Sequence, residues 1–302
     1  LPPIDEKYLL HTLQDLVRIN SINPDLVAGA PGEAEIAKYI HRQLVALGID
    51  ATLEILASGR PNVIARLPGR SGGRSLMINA HTDTVGVSGM KDPFSGEVRD
   101  GRLYGRGAQD MKGSIAAMLA VAKAVRETDV ELAGELVLTF VADEEYGSTG
   151  TEAIVREIRT DAVIVTEPTD LDVCVAHKGF GLFELKTYGR AAHGGRYQDG
   201  LDANRMMAKI LVEVDALAGR LMQSEGHPLL GAPSLHIPLL RGGSEPFVYA
   251  AECSAMIERR VIPGETRQSV LAEINQLIEA LAQLDPDLKT SVEQVLWRNP
   301  FE

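Results

Sequence analysis

The amino-acid sequence predicts an α/β fold, a mainly parallel sheet flanked by helices and joined to a separate α+β unit. Three observations carry this expectation. Apolar runs rich in β-formers alternate with amphipathic helical stretches through the first part of the chain, the pattern of strands covered by helices. After about residue 176 the order becomes β-α-β-β-α-β, which describes a small two-layer unit. The length of 302 residues suits two domains at roughly 150 residues each.

The elements follow in chain order. Residues 5–19 read as an amphipathic helix with Leu9, Leu13, Leu16 and Val17 on one face. A second helix spans about 33–47 and stops at Gly48, a C-cap position. Strands are expected at 51–56, 62–67 and 75–80, separated by Gly-rich turns such as Pro68-Gly69 and Gly72-Gly73. A helix at 111–126, a strand at 136–141, a helix near 148–158 and a short buried strand at 162–165 complete the first part. The second part reads as strand 180–188, helix 201–217, strands 235–240 and 253–260, helix 268–284 and strand 290–296.

Composition narrows the function classes. Hydrophobic residues make up 45% and charged residues 24%, as in an ordinary globular protein. The net charge of -12 disfavours a phosphate-backbone binder, so nucleic acid is not an expected partner, whereas cations suit it. Cys174 and Cys253 form no paired spacing, which points to a reducing, cytoplasmic compartment. The longest apolar stretches fall short of a membrane span, and the N-terminus lacks a signal pattern.

The residues that carry chemistry lie just past strand ends. His81 and Asp83 follow the strand at 75–80, Glu144 and Glu145 follow 136–141, and Glu167 follows 162–165. Asp110 sits in a Gly-rich loop, GRLYGRGAQDMKG, that opens a helix. In open α/β sheets the ligand crevice lies outside the carboxyl ends of the strands, so these positions converge on one rim. Carboxylates crowded there stay ionised only when cations neutralise them. Histidine with Asp and Glu suits zinc, cobalt or manganese. A lone histidine after a strand is more often a loop or core residue, and a Glu-Glu pair is usually solvated. Their joint occurrence at successive strand ends favours a metal site. His11, His41, His177, His227 and His236 lie in no such motif and read as structural or exposed, and both cysteines read as small buried residues.

The runs MINAHTDTV, GRLYGRGAQDMKG, FVADEEYGSTG and VTEPT, in this order and spacing, resemble the di-zinc amidohydrolase and carboxypeptidase family. That family includes acetylornithine deacetylase, succinyl-diaminopimelate desuccinylase, aminoacylase-1 and glutamate carboxypeptidase. A later run, IERRVIPGET, is similar to the family's Asp-x-Arg-x-x-Pro-Gly segment, with Glu258 in the Asp place. The resemblance implies two divalent metal ions, zinc first, with cobalt or manganese as substitutes. It implies His81, Asp110, Glu145 and Glu167 as metal ligands, with Asp110 between the two ions and Asp83 orienting the His81 ring. It further implies Glu144 as general base, His193 of GRAAHGG as an oxyanion-stabilising residue reaching across a dimer, and Arg260 as the anchor of a substrate carboxylate. The implied activity is deacylation of an N-acyl amino acid, with a dipeptidase or carboxypeptidase activity on short peptides as the alternative. The implied layout is a catalytic domain over residues 1–177, a lid and dimerisation domain over 178–293, and a return toward the catalytic domain over 294–302.

Several positions depart from the family pattern. DMKGS replaces Asp-Met-Lys-Gly-Gly, Asp202 replaces an asparagine, and Phe247 and Ala250 stand in the places of Asn and Pro. The family closes its second metal site with a histidine near the C-terminus, whereas no histidine follows His236 here. The expectation is therefore a truncated form whose second ion is weakly held and whose activity is nearly lost, with a binding or dimerising form of the same fold as a further reading.

Overall fold

The computed structural model describes residues 3–128 and 130–302. They form two compact units, divided between Leu171 and Asp172. The division falls a few residues ahead of the expected boundary after residue 177.

The first unit is built on a five-stranded mixed sheet. Its elements are α1 (Glu6–Arg18), α2 (Ala34–Ala46), β1 (Asp50–Ile55), β2 (Pro61–Leu67), β3 (Leu76–His81), β4 (Glu97–Arg99), β5 (Arg102–Tyr104), α3 (Gly113–Glu127), β6 (Leu136–Val141), α4 (Thr149–Glu157) and β7 (Ala162–Val165). The sheet order is β1-β2-β6-β3-β7. Strand β3 runs parallel to β6 and to β7, which gives the parallel centre expected from the sequence. Strands β1 and β2 are antiparallel, as is β2 to β6, because the short turn around Gly59 permits no crossover between β1 and β2.

Strand β6 explains the layering. All six residues of LVLTFV are buried. Leu136, Leu138 and Phe140 face a core made by Ile36, Ile40 and Leu44 of α2 and Ile115 and Leu119 of α3. Val137 and Val141 face the other way, onto Ile154 of α4 and Met77 of β3. A strand sandwiched between helices has no polar face, hence its unbroken apolar run. Strand β7 departs from the expectation of a buried strand. It ends the sheet order, and Val163, Ile164 and Val165 are all at least half exposed. The hairpin β4–β5 was not expected, although its Asp100-Gly101 turn, with both residues at positive φ, is a strong local signal.

The second unit contains β8 (Gly179–Tyr188), α5 (Ala203–Met222), β9 (Ser234–Gly242), β10 (Glu252–Val261), α6 (Arg267–Leu284) and β11 (Thr290–Arg298). Its antiparallel sheet has the order β11-β8-β10-β9. The alternating burial of β8 and β10 puts Phe183, Leu185, Ala255 and Ile257 against Met206, Ile210, Ile274 and Ile278 of the two helices. Residues 294–302, expected to start a return to the first domain, fall in this unit, because β11 pairs with β8 as far as Arg298 and Phe301 bridges to His177. Cys253 is buried as expected, but Cys174 is exposed. Among the described residues, no helix is long and apolar enough to cross a membrane.

Candidate metal centre

The parallel register of β3, β6 and β7 assembles the site. His81 is the last residue of β3 and pairs with Val141, the last residue of β6. Asn79 pairs with Val165, the last residue of β7. The carboxyl ends of three adjacent strands therefore share one rim, and Asp83, Glu144, Glu145 and Glu167 follow them directly. Asp110 comes from a short π-type turn, Ala108–Lys112, that leads into α3. Gly107 opens that turn at φ 77, and an added Cβ would lie 2.8 Å from the Thr84 methyl, so both conformation and space favour glycine there.

The His81 ring is the hub. It is almost fully buried, and Nε2 lies 3.0 Å from Asp110 Oδ1, 3.7 Å from Glu167 Oε1 and 4.0 Å from Glu144 Oε2. Two overlapping trios result, His81 with Glu144 and Glu167, and His81 with Asp110 and Glu145. Within each trio the candidate ligand atoms lie within 4.8 Å of one another. The other ring nitrogen, Nδ1, is 2.9 Å from the main-chain oxygen of Asp83 and 3.5 Å from its carboxylate. That carboxylate is engaged elsewhere. It accepts from Asn23 Nδ2 at 2.7 Å, from the Glu144 amide at 3.0 Å and from the Glu145 amide at 3.1 Å. Asp83 thus touches His81 chiefly through its backbone, while its side chain ties the Glu144–Glu145 loop to β3.

Charge is concentrated here. Burial opposes ionisation of the His81 ring, yet hydrogen bonds to Asp110 and Asp83, with the surrounding negative charge, push its pKa up to about 11. The hydrogen bond from His81 holds the Asp110 carboxyl below the usual range. Glu145 and Glu167 are both pushed up to about 7, first by burial and then by neighbouring carboxylates. An imidazole with several carboxylates and no thiolate fits divalent zinc, cobalt or manganese, and the four carboxylates of the two trios supply donors beyond the single one the His81 ring can give.

The remaining sequence candidates lie in the second unit. His193 is exposed, and its Nδ1 accepts the Gly195 amide at 3.1 Å. Arg260 ion-pairs with Glu258 and stacks over the Phe180 ring at 5.1 Å. The sequence reading missed residues behind the cluster, namely Asn23, Glu33, Arg60, Lys112 and Asp143. Lys112 is buried, donates to the Ile19 carbonyl at 2.8 Å, and burial lowers its pKa to about 7. Asp143 stood in the ADEE run but was overshadowed by the glutamates beside it. Nothing local marks Arg60, whose partners are distant in sequence.

Comparisons with known proteins place the chain among relatives. The chain is 31% identical over 268 residues to N-formyl-4-amino-5-aminomethyl-2-methylpyrimidine deformylase of Bacillus subtilis, covering 83% of this chain and 63% of that relative. It is 28% identical over 296 residues to acetylornithine deacetylase of Photorhabdus laumondii, covering 95% of this chain and 74% of the relative. In fold it matches an M20 family metallo-carboxypeptidase from Sulfolobus solfataricus with a TM-score of 0.77 at 20% identity, over 97% of this chain and 78% of that one. The sequence model of peptidase family M20/M25/M40 matches residues 77–295. That span holds every member of the His81 cluster and runs through both units, so this chain belongs to the M20/M25/M40 peptidase family.

Proposed function

We propose that the protein is a metal-dependent hydrolase that removes a small acyl group from the nitrogen of an amino acid, as an acetylornithine or succinyl-diaminopimelate deacylase does. The observation that carries the reading is the pair of trios sharing His81 at the carboxyl ends of three parallel strands. The names of the Bacillus and Photorhabdus relatives support the substrate class, since one describes a deformylase and the other a deacetylase. In this reading His81, Asp110, Glu145 and Glu167 hold two divalent cations, zinc by preference. Such cations polarise a carbonyl oxygen and lower the pKa of water toward about 7.

The chain's own groups do the rest. Glu144, about two-fifths exposed at the rim, takes a proton from the attacking water and returns it to the amine as the amide C–N bond breaks. A carboxylate and a free amine leave. Asp83 anchors the loop that carries Glu144. Arg260 grips the substrate carboxylate with its planar fork, and His193 stabilises the oxyanion from the partner subunit of a homodimer formed through the second unit. A cytoplasmic location accords with two cysteines that form no disulfide.

The test is amine release from N-formyl, N-acetyl and N-succinyl amino acids and from dipeptides, by the complete protein loaded with zinc or cobalt. Turnover of the acyl amino acids is expected. Turnover of dipeptides alone would replace this reading with a dipeptidase, and no turnover of any amide by the loaded protein would end it.

A further inference from the structure

Behind the His81 cluster lies a second group of charges, in the interior of the first unit. Its centre is Arg60, only 8% exposed in the turn just before β2. The guanidinium Nε donates to both Glu33 oxygens, at 3.1 and 3.0 Å, and a terminal nitrogen donates to Glu33 as well. The other terminal nitrogen donates to Asp143 Oδ1 at 2.8 Å and to Asp25 Oδ2 at 2.7 Å. Glu33 and Asp143 are as buried as Arg60, and Glu33 also accepts the Asp143 amide at 3.2 Å.

Asp143 immediately precedes the Glu144–Glu145 pair and holds a left-handed conformation, φ 66. Its carboxylate accepts from Gly147 N at 3.2 Å and Thr149 Oγ1 at 2.7 Å, which folds the loop back on itself. It also accepts from Asn23 Nδ2 at 3.1 Å, and the same nitrogen donates to Asp83. A continuous buried path therefore runs from Arg60 through Asp143 and Asn23 to Asp83, whose carboxylate holds the amides of Glu144 and Glu145.

We propose that Arg60 is a positioning residue of the metal centre, which fixes where the Glu144 and Glu145 carboxylates stand relative to His81 by holding Asp143 directly and Asp83 through Asn23. The inference rests on the reading of the cluster as a metal centre. Without Arg60, the buried Glu33 and Asp143 carboxylates face each other with no cation between them. Their mutual repulsion drives them apart, and this moves the loop that begins at Asp143. Lysine keeps the charge but carries its three donors on one nitrogen, which does not reproduce the fork that spans Glu33 and Asp143 together.

The experiment is a cobalt(II) titration of the full chain, read from the visible absorption band, with circular dichroism as the check on folding. Arg60→Lys is expected to weaken cobalt binding by about tenfold or more, the low end of what outer-sphere partners of metal ligands contribute, and to change the band shape. Arg259→Lys is the control. Arg259 is 1% exposed and pairs with Glu265 and Glu273 in the second unit, so it loses a similar buried fork without touching the path to His81. Wild-type affinity and band are expected of it. If Arg60→Lys fails to fold, Arg60→Met combined with Glu33→Gln takes its place, because Asp143 then keeps Asn23, Gly147 and Thr149 as donors, and the same loss is expected. A folded Arg60 variant with wild-type affinity and band overturns the proposal, as does an equal loss in Arg259→Lys. A wild-type chain that yields no cobalt band overturns the metal-centre reading itself and the proposal with it.

Discussion

Replacing Asp83 by alanine tests how the Glu144–Glu145 loop is fastened. The Asp83 carboxylate is 1% exposed and accepts three N–H groups, at 2.7, 3.0 and 3.1 Å. An orphaned buried donor costs roughly 1–3 kcal/mol. The Asn23 hydrogen would incur most of that, since Asn23 is fully buried. Glu144 and Glu145 lie at the rim, so water recovers part of the cost at their amides. Deletion also relieves repulsion from nearby carboxylates, while His81 loses a counter-charge. The sum is a destabilisation of about 2–4 kcal/mol. Urea unfolding of the metal-free protein followed by circular dichroism measures it, and hydrogen exchange at the Glu144 and Glu145 amides localises it. Asp83→Asn, which keeps one acceptor, should fall between wild type and alanine. An alanine variant within about 1 kcal/mol of wild type, with unchanged exchange at both amides, would refute the reasoning.

Three further outcomes are expected. Glu144→Gln should retain cation binding, measured calorimetrically, while turnover falls by about 10²–10⁴-fold, the usual contribution of a general base. Cation affinity should fall as pH drops. His81 must release a proton whose pKa is about 11, so the apparent Kd rises about tenfold per pH unit, and more steeply below pH 7 where Glu145 and Glu167 also hold protons. Calorimetry between pH 8 and 6 that shows less than about a threefold change in Kd would contradict this. Gly150→Ala should cost about 1–3 kcal/mol in thermal unfolding, because the new Cβ would lie 2.4 Å from the Ala142 oxygen and 2.6 Å from Asn62 Oδ1.

Much of this architecture was legible because its causes are local or periodic. The apolar run at 136–141 announces a strand covered on both faces, and the alternation at 180–188 announces one covered on a single face. The convergence of His81, Glu144, Glu145 and Glu167 was legible because parallel strands put their carboxyl ends on one rim, whereas Asp110, in the loop ahead of α3, was legible only through its Gly-rich motif. The burial of β7 was misjudged for the complementary reason. Its four residues are as apolar as those of a central strand, and only sheet order reveals that no neighbour stands beyond it among the described residues. Arg60 and Glu33 were invisible because their partnership depends on side chains brought together from the α2 N-terminus, the β1–β2 turn and the end of β6. No spacing along the chain encodes it.

The parallel pairing that builds the rim also dictates when it can exist during folding. Leu76 meets Ala162, and His81 meets Val141, only after long intervening stretches have been closed into loops. Such distant parallel contacts form late and slowly. Until β7 docks on β3, Glu167 is not held beside His81, and the trio it shares with Glu144 does not exist. A growing or partly folded chain therefore offers a passing cation scattered carboxylates and never a finished cage. In the proposed reading, a full set of candidate ligands is presented to a cation only once the scaffold has closed.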